Sequence, residues 1–422
     1  MAITVRNIDG VVEMSVAINR WGSDGSTGFF GIAPGRNESW NRDDARGYIM
    51  VVDAPDFRNT YYVLNGDTIS LRRDMTGSLP RLVATNASGA TLTPIKSRYF
   101  PSDSWMTQRW PQLQARLMSN ITLPGTHDSG MSEANGSIET GPLLRPVTKT
   151  QSLTIYEQIV NAGARYLDMR PVYYRHSLLK SDIPSGYYLA HYSNIGDSPA
   201  WVGLIGRSLR DVCDDVRRAM AEIGEHEIVL VELSHAKYLI EGGTADTLEP
   251  ERQRQVVGEI LAALDGHLYR GAASTNFYTL QARAIAGVRA TAFVWDSNGS
   301  LSQSGYGPAD GLFTANNLPY YNSWYDVDTN EVGTFLANME NSFRNHPYPK
   351  DPPFLMAWHL TAEAPWVGQS LRDFAAHLNP LLGPSLAGWR EVMKANWPRI
   401  VAWDFIEADP SLLAHVIALN GV

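Results

Sequence analysis

The chain has one cysteine in 422 residues, Cys213, so no disulfide can form within it. A chain this long can hold itself together by burial alone, in a reducing compartment or outside the cell. Cys213 lies in the helical pattern SLRDVCDDVRRAM and is read as a packing residue, not a nucleophile. Long apolar runs are also missing. The strongest, IVLVEL, falls far short of the roughly 20 residues that a membrane-spanning helix needs. The opening MAITVRNIDG has no apolar core of a signal peptide, so none is visible. Positive charge is scarce: 35 Lys and Arg stand against 44 Asp and Glu, a net charge of −9. That balance argues against a nucleic-acid binder and against bulk attraction to an anionic membrane, but it leaves a local apolar contact open. HExxH, CxxC and helically spaced histidine pairs are absent, which argues against zinc.

What is present divides in two. Over residues 1–103, short stretches such as AITVRN, VEMSVAINRW, GYIMVVDA and TYYVLN alternate apolar and polar residues between Gly, Asn, Asp and Pro clusters. This predicts a small all-β, sandwich-like domain of antiparallel strands, a cap or binding module, with a hairpin at NGD in YYVLNGDTISLRR. Its aromatics Trp21, Phe29, Phe30 and Trp40 are read as core before contact surface. The polar, turn-rich SRYFPSDS marks the boundary, and WMTQRWPQLQARLM reads as a short helix opening the second domain, 104–422.

From there strand-like and helix-like runs alternate. NITLPGTH, ARYLDMR, YYLAHY, IVLVELSH, HLYR, RATAFVWD, FLMAWHL and RIVAWDF are the strand candidates, HLYR the weakest. Alternation with helices implies a mainly parallel sheet, and the number of units implies an α/β barrel of the triosephosphate-isomerase type, with seven strands and one irregular unit if HLYR is not a strand.

Barrel enzymes place their chemistry at the C-terminal ends of the strands. Here those ends carry His127-Asp128, Asp168-Met169-Arg170, His191, Glu232-Leu233-Ser234-His235, Asp296, His359 and Asp404. Each has a plain structural reading. A lone histidine bonds a loop, Asp168 pairs with Arg170, and Glu232 or Asp296 caps a turn. Seven ionisable strand ends together are harder to explain by stability, because buried charge is costly. Paired imidazoles can take and give a proton, and a guanidinium can hold two phosphoryl oxygens.

ITLPGTHDSGM, GARYLDMRP, LAHYS, HEIVLVELSH and the closing PRIVAWDFIE resemble the X-region of bacterial-type phosphatidylinositol-specific phospholipase C, over roughly residues 104–415. The resemblance implies that His127 is the general base for the inositol 2-hydroxyl and that Asp404 orients it. It makes Arg170 the phosphate-binding residue and His191 the acid that protonates the diacylglycerol oxygen, supported by Asp128. Phosphatidylinositol would give diacylglycerol and a cyclic inositol phosphate, which water then opens. Glu232, His235, Asp296, His359, Trp324 and Tyr325 complete the expected substrate surface. Tyr192 follows the acid histidine where the family usually has glycine. Arg170 points to the metal-independent branch, with no cofactor required; Ca2+ held by Asp128, Asp168 and Glu232 is the alternative. Partners would be phosphatidylinositol membranes at the barrel mouth, touched by Tyr320, Tyr321, Trp324 and Tyr325 in FTANNLPYYNSWYDV. The resemblance further implies a secreted monomer. A metal-dependent glycerophosphodiester phosphodiesterase is disfavoured, because His-Asp-Ser and Asp-Met-Arg stand where that family has His-Arg-Gly and Glu-x-Asp. A non-catalytic inositol-lipid-binding barrel has no need of both a proton donor and an acceptor.

Overall fold

The computed structural model describes residues 2–20, 28–41, 48–54, 57–74, 81–92, 96–97, 104–133, 136–137, 145–176, 183–194, 198, 200–241, 243–347, 351–363, 369–393, 397–408 and 410–420. Its contacts separate Met1–Pro101 from Ser102–Val422; the sequence reading put the division after residue 103. Trp21 lies outside the described residues.

The first unit has two sheets, ordered Asn37–Asn41, Ala2–Asn7, Thr68–Asp74, Arg81–Thr85 and Phe30–Ile32, Met14–Arg20, Tyr48–Ala54, Phe57–Val63, Lys96–Ser97. Alternation buries Ile3, Val5, Val16, Ile18, Met50, Val52, Ile69 and Leu71 in one core. Two expectations need correction. Ala2–Asn7 pairs parallel with Thr68–Asp74, so the unit is not purely antiparallel. NGD does not close a hairpin: the turn from Leu64 to Asp67 carries the chain from one sheet to the other. Trp40 is core, whereas Phe30 is 57% exposed and Phe29 half-buried.

In the second unit, eight parallel strands curl into an open barrel. They are β1 (Leu123–Thr126), β2 (Tyr166–Met169), β3 (Ile228–Leu233), β4 (Thr291–Asp296), β5 (Leu312–Thr314), β6 (Tyr321–Asn322), β7 (Phe354–Trp358) and β8 (Pro398–Trp403). Their order is β5-β4-β3-β2-β1-β8-β7-β6, and every neighbouring pair is parallel. Among the described residues β5 and β6 do not pair, so the barrel has a seam. Strands β1, β2, β3 and β7 are buried throughout, as parallel strands covered on both faces must be.

The barrel expectation holds with different members. β5 and β6 were not foreseen, because three and two residues are too few to show a period. HLYR forms no strand; Leu268 makes a single bridge to Ala292. YYLAHY is a strand, Gly186–Asn194, but it lies in a separate six-stranded sheet with Gly136–Ser137, Pro171–Arg175, Trp201–Ser208, Lys237–Ile240 and Ala245–Thr247. Within ITLPGTH, Pro124 and Gly125 are paired strand residues, and a Cβ on Gly125 would lie 2.5 Å from the Tyr166 ring.

Helix α1 (Leu209–Glu222) covers the sheet with Val212, Cys213, Val216 and Met220, and starts at Ser208, which accepts from the Asp211 amide. Burial pushes the Cys213 thiol up to about 12, consistent with inert packing. The opening helix is two short turns, Trp105–Gln108 and Trp110–Leu113. At the N-terminal ends of β2 and β3, Arg165 Nε donates to Glu227 at 2.7 Å with both side chains fully buried, and Glu227 also accepts from the Thr107 amide at 2.7 Å. Glu227→Ala leaves a guanidinium buried without its carboxylate. Denaturant unfolding is expected to show a loss of about 3–5 kcal/mol; a loss below about 1 kcal/mol, the range of a surface pair, contradicts this reading.

Candidate active site

The polar residues gather where the barrel gives way to the second sheet. β2 runs through Arg170 directly into Pro171–Arg175, and β3 runs through residues 234–236 into Lys237–Ile240. Arg170, Ser234 and His235 therefore sit at the junction of the two sheets.

The THDS turn at the end of β1 is held from several sides. Ser129 Oγ bonds Thr126 at 2.7 Å and Thr150 Oγ1 donates to the Asp128 carbonyl at 2.8 Å. Gln151 donates to the His127 carbonyl at 3.1 Å. Asp128 has φ +40°, a left-handed conformation that short polar residues tolerate better than most. That rotation parts two neighbouring side chains. His127 Nδ1 lies 2.9 Å from Asp404 Oδ1 at the end of β8, while Asp128 faces Arg170 at 3.6 Å and His191 at 3.5 Å.

Arg170 forks onto Asp168, with Nη2 at 2.9 Å and Nε at 3.4 Å. The same Nη2 stands 3.0 Å from His127 Nε2. An arginine only donates, so Nε2 is the acceptor and the proton sits on Nδ1, toward Asp404. Burial alone would raise Asp168, but Arg170 outweighs it and holds the carboxyl below the usual range. Burial and the Arg170 charge push both His127 and His191 down to about 3. Burial lifts Asp404 up to about 7 and raises Asp128 well above the ordinary carboxylate value. Both Asp128 oxygens are buried and lack hydrogen-bond partners.

His191 comes from the second sheet, not from a barrel strand as expected. It reaches the same mouth, its ring 6.1 Å from that of His127 and nearly perpendicular to it. Its Nδ1 donates to the Thr148 carbonyl at 3.0 Å. The room that a glycine after His191 would give comes from across the ladder. Tyr192 pairs with Gly203, where a Cβ would lie 2.2 Å from the His191 carbonyl.

A cavity of about 410 Å³ opens between these groups. Glu232, His235, His359, Trp324 and Tyr325 line it. Asp296 does not: its Oδ2 accepts from the Leu301 amide at 2.9 Å, so it shapes the loop after β4. Glu232 accepts from the Tyr166 hydroxyl and from Tyr320 at 2.7 Å, and burial with Asp168 nearby pushes it up to about 6. Tyr320 is therefore a wall residue, not a surface aromatic. Tyr321 stacks on His346 at 3.6 Å, which leaves Trp324 (36% exposed) and Tyr325 (74%) at the surface. His359 stacks flat on His127, with centroids 3.8 Å apart and planes within 4°. Sequence reasoning missed Thr148 and Tyr166, because a backbone carbonyl and a barrel-wall tyrosine carry no motif of their own, and it named Ser234 only as part of a strand end.

Among the described residues, no group of three or more His, Cys, Asp or Glu side chains is arranged to hold a metal ion. Asp128, Asp168 and Glu232 do not fit Ca2+ as they stand. Arg170 occupies Asp168 and faces Asp128, and two tyrosine hydroxyls fill Glu232.

A search against protein-family models finds no match. Among solved structures, the phosphatidylinositol-specific phospholipase C from Listeria monocytogenes aligns over 76% of this chain and 98% of its own, with TM-score 0.52 and 17% identity. The second unit has the phosphatidylinositol-specific phospholipase C fold. A Ca2+-dependent phosphatidylinositol-specific phospholipase C from Streptomyces antibioticus aligns more loosely, over 71% of this chain and 98% of its own, at TM-score 0.33 and 9% identity. In sequence, a PI-PLC X-box domain-containing protein of Dictyostelium discoideum is 26% identical over 168 residues, 37% of this chain. The chain spans about a fifth of that relative's length, 20%. The resemblance seen in the motifs thus holds both for the fold and for an X-box sequence.

Proposed function

We propose that the protein is a metal-independent phosphatidylinositol-specific phospholipase C, releasing diacylglycerol and a cyclic inositol phosphate. The observation that carries this reading is the arrangement of two imidazoles around Arg170. His127 presents an acceptor Nε2 with its Nδ1 proton on Asp404, and His191 is held on the far side by Thr148 and Asp128. In this reading the phosphodiester takes the place beside Arg170 and draws its Nη2 from His127, which frees the base. His127 removes the 2-hydroxyl proton as that oxygen attacks phosphorus, with Asp404 stabilising the imidazolium that forms. The phosphodiester charge, set between Arg170 and His191, offsets the Arg170 charge that adds to burial in holding His191 low, so His191 takes a proton from solvent as substrate binds. His191 then protonates the departing glycerol oxygen.

The cavity walls support one orientation. Tyr166, Glu232, Asn298, Tyr320 and Asn322 offer hydrogen bonds to a polyol. Val147, the neighbour of the Thr148 that holds His191, shares one apolar cluster with Val202 and Ala362, an apolar margin on the leaving-group side. Trp324 and Tyr325 extend it outward as the membrane contact. Replacing both by Ala is expected to weaken binding to phosphatidylinositol vesicles roughly tenfold, about 1.4 kcal/mol, while sparing a soluble headgroup substrate. Equal losses on both substrates would sink the membrane role.

The reaction is tested by diacylglycerol release from phosphatidylinositol in chelator and again with added Ca2+. Equal rates are expected. Turnover only with Ca2+ defeats the metal-independent reading, and no turnover under either condition defeats the enzyme.

A further inference from the structure

Tyr192 sits beside the acid histidine with its hydroxyl turned away from the reacting groups. It donates to the His235 carbonyl at 2.8 Å, and its ring meets Trp201 edge-on at 6.4 Å. His235 holds φ +53°, a conformation that a histidine adopts only when its surroundings impose it. The loop thus pinned continues into a chain of hydrogen bonds. His235 Nδ1 lies 2.9 Å from Ser234 Oγ, and Ser234 Oγ donates to Asp168 Oδ1 at 3.3 Å. Asp168 in turn holds Arg170 by both Nη2 and Nε. One end of this chain is the strand carrying His191, and the other is the guanidinium facing the phosphate.

We propose that Tyr192 is a positioning residue that locks the His191 strand to the 234–235 loop and, through Ser234 and Asp168, fixes the angle of Arg170. The assignment rests on the phospholipase reading for its effect on turnover, though not for its effect on Arg170. The tyrosine ring fills the place opposite Gly203, and only the hydroxyl makes the tie, so Tyr192→Phe removes the tie and keeps the packing.

Two readouts test it. On a soluble inositol phosphodiester, Tyr192→Phe is expected to lower kcat about tenfold with KM changed less than twofold, since a small misplacement of a positioned group acts on the transition state. In the substrate-free protein, proton exchange at Arg170 Nε, followed by 15N NMR, is expected to quicken, because Asp168 no longer holds it as firmly. Ser234→Ala cuts the same chain one link nearer and is expected to do both. The double variant should lose no more than the worse single variant, since both act on one chain. Unchanged Arg170 exchange in Tyr192→Phe and Ser234→Ala overturns the tie, whatever the turnover. Faster exchange in a protein that never turns over phosphatidylinositol upholds the tie and overturns the functional reading alone. Should Tyr192→Phe not fold, Ser234→Ala decides by the same two measurements.

Discussion

Replacing His127 by Ala is expected to lower turnover of phosphatidylinositol by about 10⁴-fold, the upper range for a single proton-transfer group. The loss should fall on kcat more than on KM, because the proposed mechanism gives phosphate binding to Arg170. No neighbour can substitute. His359 lies flat against the same ring, so its nitrogens do not reach the Nε2 position, and His191 is anchored 6.1 Å away on Thr148. The pH profile carries a second signature. The His127–Asp404 pair takes up an additional proton at about 7, through burial of the carboxylate. The base works only without that proton and the acid His191 only with one, so kcat, set in the substrate complex, should rise with pH through about 7 and fall again once His191 loses its proton. Asp404→Asn removes the rising limb and lowers the maximum. A His127→Ala protein with wild-type turnover, or an Asp404→Asn protein with an unshifted profile, contradicts the assignment.

Arg170→Lys is expected to lose about 3–4 kcal/mol of transition-state stabilisation, the scale of a lost oxyanion donor. Charge is retained, so the loss measures geometry. Asp168 grips the guanidinium at two nitrogens, and an ammonium offers no fork. The same change removes the donor that occupies His127 Nε2, so the base stands open without phosphate. Burial and Arg170 together hold His127 low in the resting site, and an ammonium displaced from that position should let its pKa rise. Imidazole chemical shifts against pH measure this directly. A kcat within threefold of wild type contradicts the phosphate role of Arg170.

The sequence was most legible where one residue type had to end a strand. His127, Asp168, Arg170, Glu232, His359 and Asp404 stand at or just past the ends of mainly apolar strands, and parallel strands bring such ends together. Asp296 met the same criterion but caps its own loop, since a carboxylate at a strand end serves amides as readily as substrate. The site also depends on a second sheet that alternation alone cannot separate from the barrel. Gly186–Asn194 reads as a strand either way, and only its pairing with Pro171–Arg175 and Trp201–Ser208 reveals where it belongs. β5 and β6 were hidden by their shortness. The adjacency of His127 and Asp128 was misleading on its face. Positive φ at Asp128 turns the two apart, so each serves a different imidazole.

The most direct test of the proposed chemistry is 31P NMR of phosphatidylinositol turnover in excess chelator. The two-imidazole mechanism predicts a cyclic inositol phosphate as the first phosphorus product, absent with His127→Ala and with His191→Ala. An acyclic inositol phosphate appearing first, or a cyclic product formed at an unchanged rate by either variant, contradicts it.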